Sequence, residues 1–277
     1  MPAPGESPNL SCNIPMKRLF SKHPASPTMT RLTFILLCLS GLALATPPLA
    51  PHTPEDDLRG SWDAEIDPTL PNVLILGDSI SIAYTRPVRR HLEGEANILR
   101  PMRPDGRGPD NCGDTTIGLA NIERYLGDMQ WDVIHFNWGL WDLCYRNPEA
   151  RNQGNRDKKN GTVSTTPDAY ESQLEKLVER LQQSNAKLIW ASTTLVPEGE
   201  PGRFVGDDKK YNAIAARVMQ RHNIPINDLH TLTTGFPANH FVGPGDVHFT
   251  AAGSAKLAEQ VAAKIRTMLA GGNSQQP

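Results

Sequence analysis

The chain has 277 residues, 38% hydrophobic and 21% charged, with 24 Pro, 22 Gly and a formal charge of −2. Such a composition fits one globular domain of roughly 200 residues with tails, and it excludes collagen-like, coiled-coil and wholly disordered chains. A balance this close to neutral also excludes the electrostatic footprint of a nucleic-acid binder.

In chain order, the first feature is the apolar run over residues 33–44, preceded by Arg31 and followed by Ala43-Leu44-Ala45. It falls short of the about 20 residues that span a bilayer. A basic start, an apolar middle and a small-x-small end predict a leader and secretory signal peptide over residues 1–45, cleaved after Ala45. The mature chain is therefore expected to be secreted or periplasmic, with no stable membrane association. Cys112 and Cys144 stay in it, as a disulfide or as two buried thiols. Residues 46–70, rich in Pro and Asp, read as a linker, residues 71–270 as the domain and residues 271–277 as a disordered tail.

Within the domain, Val73-Leu74-Ile75-Leu76 predicts a fully buried central strand, with Ser79 opening the next helix. Residues 96–99 form a second strand, 115–126 a helix, and 133–136 a third strand holding His135 as a core histidine. The polar stretch 148–166 reads as a mobile surface loop. Thr166-Pro167-Asp168 then starts a helix with Tyr170, Leu174, Leu177, Val178 and Leu181 inward. Residues 188–191 give a fourth strand, 207–222 a helix, Ile224 and Ile226 a short fifth strand, and Thr250 caps a last helix to about Leu269. Strand–helix alternation predicts an α/β fold: a three-layer α/β/α sandwich around a flavodoxin-like five-stranded parallel sheet, in order 2-1-3-4-5.

Open parallel sheets bind ligands beyond the carboxyl ends of their strands. Gly77-Asp78-Ser79 follows the first strand and places Ser79 at a helix N-terminus, where free backbone N–H groups stabilise an anion. A serine so placed can attack a carbonyl, or it can simply cap the helix. Gly245-Asp246-Val247-His248 precedes the last helix and offers a base, His248, with an orienting acid, Asp246. Asn111-Cys112-Gly113 and Asn137-Trp138-Gly139-Leu140-Trp141-Asp142 complete the strand-end features.

These blocks resemble the SGNH/GDSL hydrolases over about residues 72–269: Gly77-Asp78-Ser79 for the nucleophile, Cys112-Gly113-Asp114-Thr115-Thr116 for the glycine and Asp246-Val247-His248-Phe249-Thr250 for the histidine. The resemblance implies a Ser-His-Asp esterase with the SGNH hydrolase fold. Its catalytic residues would be Ser79, His248 and Asp246, and the N–H groups of Ser79 and Gly113 would hold the oxyanion. Two departures stand out. The family's usual Gly-x-Asn-Asp reads Gly139-Leu140-Trp141-Asp142, so Trp141 or Asn137 stands in for the missing amide, or the two backbone donors act alone. The usual Asp-x-x-His is one residue shorter, with Asp228 or a backbone carbonyl as alternatives to Asp246.

The implied reaction is hydrolysis of a small acyl ester, such as an O-acetyl group on a carbohydrate, with no cofactor and no metal. Asp78, Arg103 and Trp138 are the expected substrate contacts. Arg100, Arg103 and Arg107 form either an anion-holding loop or a solvated basic one. A lysophospholipase or acyl-thioesterase is the alternative within the same superfamily. A catalytically impaired carbohydrate-binding protein is the alternative outside enzymes, and a metal-dependent phosphoesterase is disfavoured by the sparse acids and histidines.

Overall fold

A computed structural model describes residues 52–58 and 61–271 of the chain. The expected signal peptide, the linker up to residue 51 and the tail beyond residue 271 lie outside the described residues.

Four consecutive apolar residues, all buried, make β1 (Asn72–Leu76) the centre of a sheet covered on both faces. Gly77 ends the strand, and α1 (Ser79–His91) starts under Asp78, whose carboxylate accepts the Ile80 N–H at 3.0 Å. β2 (Asn97–Leu99) is followed by α2 (Thr115–Leu126), capped by Asp114, and then by the wholly buried β3 (Val133–Phe136). A minimal antiparallel pair comes next, β4 (Tyr145–Arg146) with β5 (Thr162–Val163). Pro167 sits in the first turn of α3 (Pro167–Gln182), with the Thr166 hydroxyl as its cap. β6 (Lys187–Ala191), α4 (Asp207–Arg221), β7 (Ile226–Asn227), α5 (Leu229–Thr234) and α6 (Ala251–Ala270) complete the chain.

The five parallel strands run in the order β2-β1-β3-β6-β7, which is the expected 2-1-3-4-5. Val73 pairs with Val133 and Leu76 with Phe136, so the carboxyl ends of β1 and β3 finish level and their following loops meet. α1 packs on α6, while α2, α3 and α4 form the other layer. His135 is fully buried and accepts from Asn227 Nδ2 at 3.1 Å, and burial depresses its pKa to about 3, a neutral core residue. No helix among the described residues is long and apolar enough to cross a membrane.

Two expectations change, one element is added and one open alternative is settled. The described part of the linker is bonded to the domain: Asp67 N–H donates to Asn97 Oδ1 at 3.0 Å, and the Arg86 guanidinium lies 4.0 Å over the Trp62 ring. The stretch 148–166 is held in place by its own polar residues. Asp157 accepts from the backbone of Lys159 and Asn160 and from the Asn147 amide, and β5 lies within it. Six-residue α5 was not foreseen, since it is shorter than any periodic signal. Cys112 and Cys144 are free, buried thiols.

Asp142 ties β3's loop to α2: its Oδ1 accepts the Thr115 N–H at 2.9 Å and the Thr115 hydroxyl at 2.5 Å. Complete burial outweighs those bonds and pushes its carboxyl up to about 7. The folded state therefore binds this proton more tightly than the unfolded chain, where a carboxyl titrates near 4. The stability it contributes is complete below about pH 4 and is lost as pH rises through about 7. Asp142→Asn keeps the acceptor for Thr115 and removes the titration. Unfolding followed at pH 5 and pH 8 should show wild type losing about 2–4 kcal/mol more than the variant across that interval. Parallel losses would reject the assignment.

Candidate active site

The nucleophile turn follows from close packing. Gly77 has φ +150°, and a Cβ there would lie 3.1 Å from Ser81 Oγ and 3.3 Å from the Asn137 carbonyl. The turn is stitched to the loop before α2 by Arg100, buried at 6% exposure, which donates to the carbonyls of Gly77 and Asp110 and to the hydroxyls of Ser81 and Thr85. Arg100 is thus a framework residue. The anion-holding reading fails for it because all its donors but Nε are bonded within the protein, and Nε itself is buried.

Ser79 Oγ lies 2.9 Å from His248 Nε2. His248 Nδ1 lies 2.6 Å from Asp246 Oδ1, and the same oxygen accepts the His248 backbone N–H at 2.9 Å. That double use accounts for the short spacing. An aspartate bonding the N–H two residues ahead closes an Asx turn, which brings its carboxylate alongside the ring of that residue. Gly245, at φ +72°, permits the turn to pass 2.8 Å (as a Cβ would measure it) from the Gly199 carbonyl. Burial pushes the Asp246 carboxyl up, but the two bonds from His248 and the charges of His248 and Arg156 outweigh it and hold the pKa below the usual carboxylate range. Asp228 is occupied elsewhere, capping α5 through the Thr231 N–H at 3.0 Å.

The oxyanion expectations divide. Ser79 N–H, at the start of α1, has no partner among the described residues. Gly113 N–H does not remain free, because it donates to Asn111 Oδ1 at 3.0 Å. Asn137 is also withdrawn: its Nδ2 donates to the Ala191 carbonyl at 2.8 Å and to Thr193 Oγ1 at 3.2 Å, which takes both hydrogens. Trp141 does line the cavity, with the Arg146 guanidinium 4.6 Å from its ring. Asn111, which sequence reasoning passed over, also lines it. With Oδ1 fixed by Gly113, the Asn111 amide group is oriented and its Nδ2 has no partner among the described residues.

The cavity above Ser79 has a volume of about 340 Å³. Asp78 forms part of its floor, and burial pushes that carboxyl up against the opposing influence of the Ile80 N–H, Arg203, His248 and Arg100. Leu140 and Val247 supply small apolar surface. Two expected substrate contacts lie elsewhere. Trp138 is 1% exposed, packed under α2 with its indole N–H on the Cys112 carbonyl at 3.2 Å, so it offers no face to a sugar. Arg103 is half exposed outside the cavity, paired with Asp105 at 3.3 Å. The arginines that do line the cavity are Arg146, Arg156 and Arg203, contributed by the β4–β5 excursion and the loop before α4. The signal for the first two was present: a polar insertion of this length between a strand and a helix is more often functional than a passive connection. Among the described residues no group of three His, Cys, Asp or Glu side chains gathers as a metal centre requires.

The model of the GDSL-like lipase/acylhydrolase family matches residues 75–256. No curated protein matches the chain in sequence. Among solved structures, a lipase/acylhydrolase from Enterococcus faecalis is similar at 19% identity and a TM-score of 0.54, over 71% of this chain and 96% of that one. A carbohydrate esterase of family 3 from Talaromyces cellulolyticus gives 20% identity and 0.53, over 73% and 99%. An acetylxylan esterase from Geobacillus stearothermophilus gives 14% and 0.53, over 70% and 94%. Likenesses at these identities are likenesses of fold.

Proposed function

The chain belongs to the GDSL-like lipase/acylhydrolase family and is a carboxylic ester hydrolase, and from that premise we propose that it removes a small acyl group, acetyl above all, from a carbohydrate. The observation that carries this reading is the line Ser79 Oγ, His248, Asp246, with spacings of 2.9 and 2.6 Å, at the floor of a cavity of about 340 Å³. A cavity lined by three arginines beside Leu140, Trp141 and Val247 suits a short acyl chain and a polar alcohol. The acetylxylan and carbohydrate esterases among the similar structures support the same substrate class.

In this mechanism His248 Nε2 takes the Ser79 proton as Oγ bonds to the carbonyl carbon. The electron pair moves onto the carbonyl oxygen, which the Ser79 N–H and Asn111 Nδ2 hold. The tetrahedral intermediate collapses, and the C–O bond to the sugar breaks with the His248 proton going to the leaving oxygen. Water, deprotonated by His248, then attacks the acyl-serine, releasing acetate and restoring the Ser79 hydroxyl. Asp246 keeps the Nδ1 proton on its own side and stabilises the transient imidazolium.

The test compares p-nitrophenyl acetate with the octanoate. We expect kcat/KM for acetate to exceed that for octanoate by about tenfold or more, since a long alkyl chain in a cavity of about 340 Å³ would have to desolvate the guanidiniums that line it. A preference for octanoate would instead favour the lysophospholipase or thioesterase reading. Residues 31–45 carry a further proposal, export across a membrane, and protein recovered from the exported fraction should begin at Thr46. An intact leader there would reject cleavage.

A further inference from the structure

Most of the paired arginines on the surface meet a carboxylate: Arg124 with Asp110, Arg180 with Glu123, Arg266 with Glu95. The cavity departs from that pattern. Of its three guanidiniums only two pair with a carboxylate, and it is the same one: the fully buried Glu200 accepts Arg156 at 3.2 Å and Arg203 at 2.8 Å. Arg146 has no acidic partner among the described residues. Its Nε donates to Ser164 Oγ at 3.2 Å, its Nη1 donates to the Gly154 carbonyl, and its plane lies on the Trp141 ring.

The same division of labour recurs in all three. Arg156 uses Nε on the Gln153 carbonyl and Nη1 on Glu200, while Arg203 uses Nε on the Leu140 carbonyl and Nη1 on Glu200. Each guanidinium is therefore fixed by its inner nitrogens and keeps Nη2 without a protein partner among the described residues, on a wall shared with Ser79 and His248. Asp246 and Asp78 also line the cavity, and the charges of Arg156 and Arg203 act on them, but neither carboxylate is in an ion pair with an arginine: Asp246 is bonded to His248 and Asp78 to the Ile80 N–H. Cations that are immobilised in advance and have open donors bind oxyanions at low entropic cost, and guanidinium geometry suits carboxylate and sulfate alike.

We infer that the substrate's alcohol part is an anionic saccharide, whose carboxylate or sulfate is bound by the open Nη2 groups of Arg146, Arg156 and Arg203. The inference rests on the esterase reading above and specifies its substrate. The anion-holding reading, one of the two open for Arg100, Arg103 and Arg107, is thereby moved to arginines more distant in sequence.

The test measures kcat/KM for a mono-O-acetyl methyl glucuronoside, the matching neutral glucoside and the sulfated glucoside. Wild type should favour at least one anionic ester over the neutral one by about tenfold or more, the scale of a hydrogen bond to a charged group. The favoured anion distinguishes a uronate from a sulfated sugar. The anionic-to-neutral ratio should fall towards one in Arg146→Gln and recover only in part in Arg146→Lys, which restores charge without the planar fork. Equal values for all three esters in wild type would overturn the inference. Titration calorimetry with free methyl glucuronoside and methyl glucoside measures recognition separately from turnover. If none of the esters is turned over, the esterase assignment is at fault, whereas equal affinity for all the glycosides, with methyl glucoside sulfate titrated beside the other two, overturns anion recognition itself.

Discussion

Ser79→Ala is expected to lower the turnover of p-nitrophenyl acetate by about 10⁴-fold or more, the scale seen when a nucleophile acting as part of a unit is removed. The Ser79 hydroxyl has one side-chain partner, His248 at 2.9 Å, and is only partly buried. Its loss creates no buried unsatisfied group, so the melting temperature should stay close to that of wild type. His248→Ala should cost a similar factor, and the double variant little more than either single one, because the two side chains act on one proton. Initial rates on folded, quantified protein check all three, and a Ser79→Ala enzyme with undiminished rate would remove the acyl-serine from the mechanism.

Asn111→Ala is expected to reduce kcat by about 10²–10³-fold while leaving KM nearly unchanged, since an oxyanion donor strengthens its bond only as charge develops. The reduction should sit towards the lower end of that range. Removing the Asn111 side chain releases the Gly113 N–H it had engaged at 3.0 Å, and that group can then serve the oxyanion. Asn111→Asp separates the two effects: it keeps the acceptor for Gly113 but replaces the donor with a negative charge, so its loss should exceed that of the alanine variant. Steady-state kinetics of both variants beside Trp141→Phe decide the matter. A larger loss in Trp141→Phe would assign the role to the indole N–H.

The fold was legible because its determinants are local. A continuous apolar run ended by a glycine, such as residues 73–76, reads as a buried strand, and the starts of α3 and α6 are marked by Thr166 and Thr250, whose side chains cap as expected. Ser79, His248 and Asp246 were legible because the strand-end rule restricts where reactive groups can converge. Asn111 was not, since family position favours Gly113, and only the backbone geometry at φ +62° reveals that the Gly113 N–H points at the neighbouring amide. Trp138 and Trp141 are three residues apart on one loop, and nothing in their spacing tells which is 1% exposed and which lines a cavity. The arginines show the same limit. Arg103 lies near the second strand in sequence and outside the cavity, whereas Arg146 and Arg203 line one cavity with Ser79 through tertiary placement that no local pattern encodes.

The excursion between β3 and α3 leaves and rejoins the domain at one point, closed by the pairing of Tyr145 with Val163. The reacting groups, by contrast, come from the ends of β1 and the loops before α2 and α6. Bond-breaking and the recognition conferred by Arg146 and Arg156 are thus written in separate stretches of gene. Exchange of that insertion, about twenty residues and a loop length that thermodynamics tolerates readily, would replace two of the three cavity arginines and leave Ser79, Asp246, His248 and Arg203 in place.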